Sequence, residues 1–121
     1  MIKNQTLEKK VDKRHLKEIF FVSWEESERD WGSRPDGCSL HMTQDDAKQF
    51  IEKYWHGMPD SVPDEYSRPA GSPTLAYVTP RLYNEIKLKK PGVRIYQNRL
   101  GEIILKELYY GEKVDGWRIR E

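Results

Sequence analysis

Between His56 and Pro73 the sequence reads HGMPDSVPDEYSRPAGSP, with four prolines and two glycines. Proline fixes φ and removes an amide donor, so neither a helix nor a central strand is expected to run through such a stretch. The expectation is a long Pro/Gly-rich loop over 56–73. It divides the chain into two parts that must each supply regular structure, and loops of that length in compact domains tend to be functional or disordered.

With 121 residues, the chain has the length of a single domain, 1–121, with room for one modest core. Hydrophobic residues make up 36% and charged residues 34%, but four Trp, seven Tyr and three Phe supply large apolar area per side chain, so a packed core is feasible. That excludes disorder throughout. No run approaches the roughly 18 apolar residues of a membrane helix, and the opening MIKNQTLEKK lacks the apolar stretch of a signal peptide. The expectation is no membrane and a cytoplasmic setting. The single Cys38 cannot form an internal disulfide, which agrees with a reducing compartment.

Residues 1–17 place Leu7, Val11 and Leu16 near helical spacing among charges, the pattern of an amphipathic helix or a mobile arm. The run EIFFVSW has strand composition and is expected to end where the acidic EESERD begins. Pro35-Asp36-Gly37 supplies a fixed φ, an Asx acceptor and a residue free to take positive φ, the chemistry of a tight turn. CSLHM after it reads as a strand with Cys38, Leu40 and Met42 on one side and Ser39 and His41 on the other.

Thr43 with Asp46 three residues later reads as a capping box, followed by Ala47, Phe50, Ile51, Tyr54 and Trp55 at helical spacing. TLAYV reads as a strand, and Thr79-Pro80 as the cap and first turn of a second helix closed by Pro91-Gly92. VRIYQ, EIILKELYY and GWRIRE read as three strands joined by turns. The fold class is therefore α+β: a small, mostly antiparallel sheet with a C-terminal meander and two to three helices packed on one face. The expected core is Phe20, Val22, Leu40, Phe50, Ile51, Leu82, Ile86, Ile95, Ile103 and Leu105.

Net charge is +1, spread as +3 over residues 1–18, −7 over 19–66 and +5 over 67–121. Neighbouring basic and acidic elements neutralising each other account for this spread, and nucleic acid is a disfavoured partner for a chain without strong net basicity. Cys38 and His41, three apart on a strand, point to opposite faces and form no dyad. Cys38 is read as a buried structural thiol. His41, Asp45, Asp46 and His56 lack metal-ligand spacing, so no metal and no cofactor is expected.

Aromatics interleave with arginines around Trp24, Trp31 and Arg34, and again at Tyr66 and Arg68. A guanidinium fork binds phosphate or carboxylate and an aromatic ring stacks on a base or sugar. The leading functional expectation is a binding module for a small anionic, nucleotide-like ligand, with Trp31, Arg34, His41, Tyr66 and Arg68 as its site. The alternatives are local salt bridging of both arginines, a protein-interaction or homo-oligomeric module using exposed aromatics or a strand edge at Trp117, and a hydrolase-type enzyme with His41 as general base beside Asp45.

Overall fold

The spine of the molecule is β1, Lys17–Glu28. Its Ile19-Phe20-Phe21-Val22 run carries no polar residue, the pattern of a strand covered on both faces. A computed structural model describes residues 15–28, 30, 32–61 and 63–110. The remaining elements are β2 (Gly32–His41), α1 (Gln44–His56), β3 (Glu65–Pro69), β4 (Thr74–Val78), α2 (Pro80–Leu88), β5 (Val93–Ile95), α3 (Gln97–Lys106) and β6 (Leu108–Tyr110). They build the expected α+β fold, a six-stranded sheet in the order β5-β2-β1-β4-β6 with β3 paired to β1, antiparallel throughout. β1 takes β2 along one side, and on the other β4 from Lys17 to Phe21 and β3 from Trp24 to Glu28.

Both faces of the sheet are covered, where the sequence suggested one. Ile19 and Phe21 join Cys38, Leu40, Ala76, Val78 and Leu108 beneath Leu82 and Ile86 of α2, with Leu100 and Ile103 of α3 against them. On the opposite face Val22 and Trp24 pack under Ala47, Phe50, Ile51 and Tyr54 of α1. Fully buried aliphatics such as Leu40 and Ile86 each contribute about 1.5–3 kcal/mol by leaving water. Of the expected core, Val22, Leu40, Leu82, Ile86 and Ile95 are buried, and Phe50, Ile51 and Ile103 pack partly buried against it. Phe20 shares the face of Val22 and Trp24 but is only half-buried, outside the cluster that α1 covers. The side chain of Leu105 lies outside the described residues.

The helix starts follow the sequence. Thr43 Oγ1 accepts from the Asp46 amide at 3.0 Å, and Thr79 Oγ1 accepts from the Leu82 amide at 3.3 Å, ahead of Pro80 in the first turn of α2. Each satisfies an amide that has no partner within its own helix.

Four further expectations change. β1 continues through Glu25, Glu26 and Glu28, because Arg68 and Arg34 on the flanking strands neutralise the acids that were expected to end it. Pro35-Asp36-Gly37 is no turn but lies inside β2. The register passes from Ser23↔Cys38 to Glu25↔Pro35, which leaves one extra residue on β2, a β-bulge. Gly37 takes φ +83° there, and a Cβ on it would lie 2.0 Å from the Ile95 carbonyl oxygen, so both conformation and space require glycine. The 56–73 loop is interrupted by β3, whose proline stands at the strand end, where a missing amide is tolerated. The C-terminal meander is replaced by strand, helix and strand: Leu100, Ile103 and Ile104 recur at helical spacing and face the core from α3. The amphipathic segment before residue 15, and GWRIRE with Trp117, lie outside the described residues.

Candidate functional site

The bulge in β2 turns Asp36 toward the side of the sheet that α1 covers. There Asp36 Oδ2 accepts from Arg94 Nη2 on β5 at 3.0 Å and from the hydroxyl of Ser67 on β3. The Ser67 carbonyl in turn accepts from the Tyr54 hydroxyl of α1. Arg94 Nη1 donates to the carbonyls of Cys38 at 3.3 Å and Ile95 at 2.9 Å. Its guanidinium carbon sits 4.7 Å from the centre of the Trp24 ring and 4.4 Å from that of Tyr96. Arg94 is thus a cation held by a carboxylate and two carbonyls and sandwiched between two aromatic rings, a geometry available to a planar guanidinium and not to an ammonium.

Above this stack lies a cleft of about 610 Å³, within the range of roughly 300–1,000 Å³ typical of small-molecule sites. Trp24, Phe50, Tyr54 and Tyr96 supply its aromatic lining, and Lys53, Lys89, Lys90 and Arg94 its charge. α1 contributes Phe50, Lys53 and Tyr54 from one face, spaced three and four apart. The segment joining α2 to β5 contributes Lys89 and Lys90. Lys89 also reaches Glu85 at 3.3 Å. Lys90 Nζ stands 3.9 Å from Asp46 Oδ2, a buried carboxylate oxygen without a hydrogen-bond partner.

Beside the cleft a polar chain crosses the buried layer. The Trp24 indole N–H donates to Ser39 Oγ at 2.8 Å, Ser39 Oγ lies 2.7 Å from His41 Nε2, and His41 Nδ1 lies 2.8 Å from the Pro91 carbonyl oxygen. That carbonyl can only accept, so Nδ1 carries a proton, and in the neutral ring Nε2 accepts from the Ser39 hydroxyl. Burial, the largest influence, holds the His41 pKa below its ordinary value, against the opposing pull of the Pro91 carbonyl and Asp46. A Cβ at Gly92 would lie 2.3 Å from His41 Nδ1, so the glycine lets the corner close onto the imidazole. Ser39 and His41 are both 0% exposed. The serine–histidine contact therefore lies behind the cleft lining, joined to it through Trp24 and the Pro91 carbonyl.

The other sequence-derived candidates are placed as follows. Trp31 lies outside the described residues. Arg34 binds Glu26 at 2.6 Å and Glu28 at 3.4 Å, and Arg68 binds Glu25 at 2.5 Å and the Tyr66 hydroxyl at 3.5 Å. Each guanidinium is thus engaged by carboxylates of its own, Arg34 by Glu26 and Glu28 and Arg68 by Glu25. Tyr66 lies against Trp55, ring centres 6.2 Å apart. Of the residues that do converge only Trp24 was singled out from the sequence, because the set comes from separate segments of the chain. The stretch KLKKPGVRIY, 87–96, was the available signal: three lysines, an arginine and a tyrosine around a Pro-Gly corner. Cys38 is buried in the core, its thiol pushed up to about 12 by desolvation.

Among the described residues no helix is long and apolar enough to cross a membrane. Comparison with known proteins finds no matching family model, no matching curated protein and no matching solved structure.

Proposed function

We propose that this protein is a binding module for a small anionic ligand, seated in the cleft between α1 and the α2–β5 corner. The observation that carries the reading is the convergence of Lys53, Lys89 and Lys90 over the fixed Trp24–Arg94–Tyr96 stack. The ammonium groups supply long-range attraction and mobile donors. The aromatic walls supply apolar contact, and a clamped floor means little ordering cost on binding. A cytoplasmic setting accompanies this reading, since a reducing compartment keeps a lone thiol such as Cys38 free. The self-association alternative would rest on Trp55, Leu75, Leu88 and Tyr96, which are exposed at separate places in the chain, and on a strand edge at Trp117, outside the described residues; scattered exposed apolar residues are ordinary on protein surfaces.

The test is a thermal-shift and calorimetric titration with inorganic tripolyphosphate and with nucleoside triphosphates. At a hundred times its dissociation constant a ligand stabilises by about 2.7 kcal/mol. Lys53→Ala and Lys90→Ala are each expected to weaken binding about tenfold, the scale of one charge-assisted contact. Arg34→Ala and Arg68→Ala, whose guanidiniums are engaged elsewhere, are expected to leave it unchanged. Absence of any shift, or wild-type affinity in both lysine variants, overturns the reading.

A further inference from the structure

The stack on the cleft floor stops at an open ring. Trp24 is 2% exposed and Arg94 is inserted between it and Tyr96, whereas Tyr96 is 56% exposed. The guanidinium over one face of the Tyr96 ring leaves the other face for a ligand to cover. Among the exposed large apolar side chains Tyr96 is set apart by lining the cleft and by the cation over its ring.

Here the ring is also held in place. Arg94 is tied to Asp36, to the Cys38 carbonyl and to the Ile95 carbonyl, and Asp36 is tied through Ser67 to Tyr54. Tyr96 follows the last residue of β5 and immediately precedes α3, so its backbone is fixed on both sides. A cation on one face draws electron density from the ring, which favours stacking of a planar heteroaromatic on the other.

We infer that the ligand of this cleft is a free nucleotide, its base stacked on the outer face of Tyr96 as the next layer above Arg94 and its phosphates toward Lys53, Lys89 and Lys90. The inference rests on the anionic-ligand reading and adds to it the chemistry of the uncharged half of the ligand. Aromatic stacking tolerates any base, so Tyr96 selects for a planar ring and not for one base.

The experiment compares the tightest of ATP, GTP, CTP and UTP with inorganic tripolyphosphate, in the intact protein and in Tyr96→Leu and Tyr96→Phe. The expected result is that the nucleotide binds about 5- to 100-fold tighter than tripolyphosphate, the scale of one base–aromatic stack. Tyr96→Leu removes that advantage, Tyr96→Phe keeps it, and tripolyphosphate affinity is the same in all three proteins. Because Tyr96 is half in water, both variants are expected to fold, which the melting temperature checks. If nucleotide and tripolyphosphate bind equally, with the same dependence on Lys90 and none on Tyr96, the stacking inference falls and the anionic-ligand reading stands. If neither binds, the anionic-ligand reading itself has failed. An octathymidylate strand binding more than tenfold tighter than any nucleotide, with the same loss in Tyr96→Leu, would assign the base and phosphate to a strand and overturn the free nucleotide as ligand.

Discussion

Ser39 and His41, two residues apart on β2, share a 2.7 Å hydrogen bond beneath the Trp24 indole. Residues two apart on a strand lie on the same face, and here both are inaccessible to solvent. The pair links the central strands of the sheet to the Pro91-Gly92 corner that carries Lys89 and Lys90 to the cleft.

Ser39→Ala is expected to destabilise the fold by about 1–3 kcal/mol for each buried group it orphans, which are the Trp24 indole N–H and His41 Nε2. Urea unfolding measures the loss. A variant as stable as the parent would show that the two groups find other partners.

Stability is expected to fall on acidification below about pH 6.5, where histidine in the unfolded chain begins to take up a proton. The folded-state pKa of His41 is depressed, chiefly by burial, so between the folded and unfolded values the unfolded chain binds more protons and unfolding gains. The contribution is fully present above the unfolded value and is lost as pH drops through the folded one. Glu107, held below its ordinary value first by Arg81, adds a second loss only below about pH 4.5, the ordinary carboxyl range. Melting temperatures from pH 8 to 4 in the parent and in His41→Gln test this: the slope between pH 6.5 and 5 is expected to flatten in the variant.

Cys38 is expected not to react with a thiol reagent in the native protein and to react fully in denaturant. Its sulfur is inaccessible and its thiol is pushed up to about 12 by burial, which leaves almost no thiolate at neutral pH. Rapid native labelling would mean that β2 opens.

Asp46→Asn is expected to strengthen tripolyphosphate binding about twofold to fivefold, the scale of one partly exposed ion pair. The Asp46 carboxylate lies 3.9 Å from the Lys90 ammonium and competes with an anion in the cleft for it. The helix cap is kept, because the Asp46 group bonded to Thr43 is the backbone amide. Unchanged or weaker binding would separate Lys90 from the site.

Local chemistry made much of the fold legible in the sequence. Thr43 and Thr79 announce their helices because a cap is a contact within one turn, and the alternation of Cys38 and Leu40 against Ser39 and His41 follows from the strand period alone. Where the reading failed, the deciding partner was distant in the chain. Glu25 and Glu26 remain in β1 because Arg68 and Arg34 arrive across strands. Pro35-Asp36-Gly37 becomes a bulge because the backbone of Ile95 closes on Gly37, and EIIL becomes helix because its apolar positions meet a sheet face already lined by Phe21 and Leu40. The cleft belongs wholly to this second class. Trp24, Lys53, Ser67, Lys90 and Tyr96 are scattered through the chain, and sequence encodes their residue types, but only the packing of α1 on one face of the sheet and the pairing of β5 along the edge of β2 give them a common space. Periodicity and capping are fixed by neighbours a few residues away, whereas a binding site is a property of distances between segments, which tertiary structure alone decides.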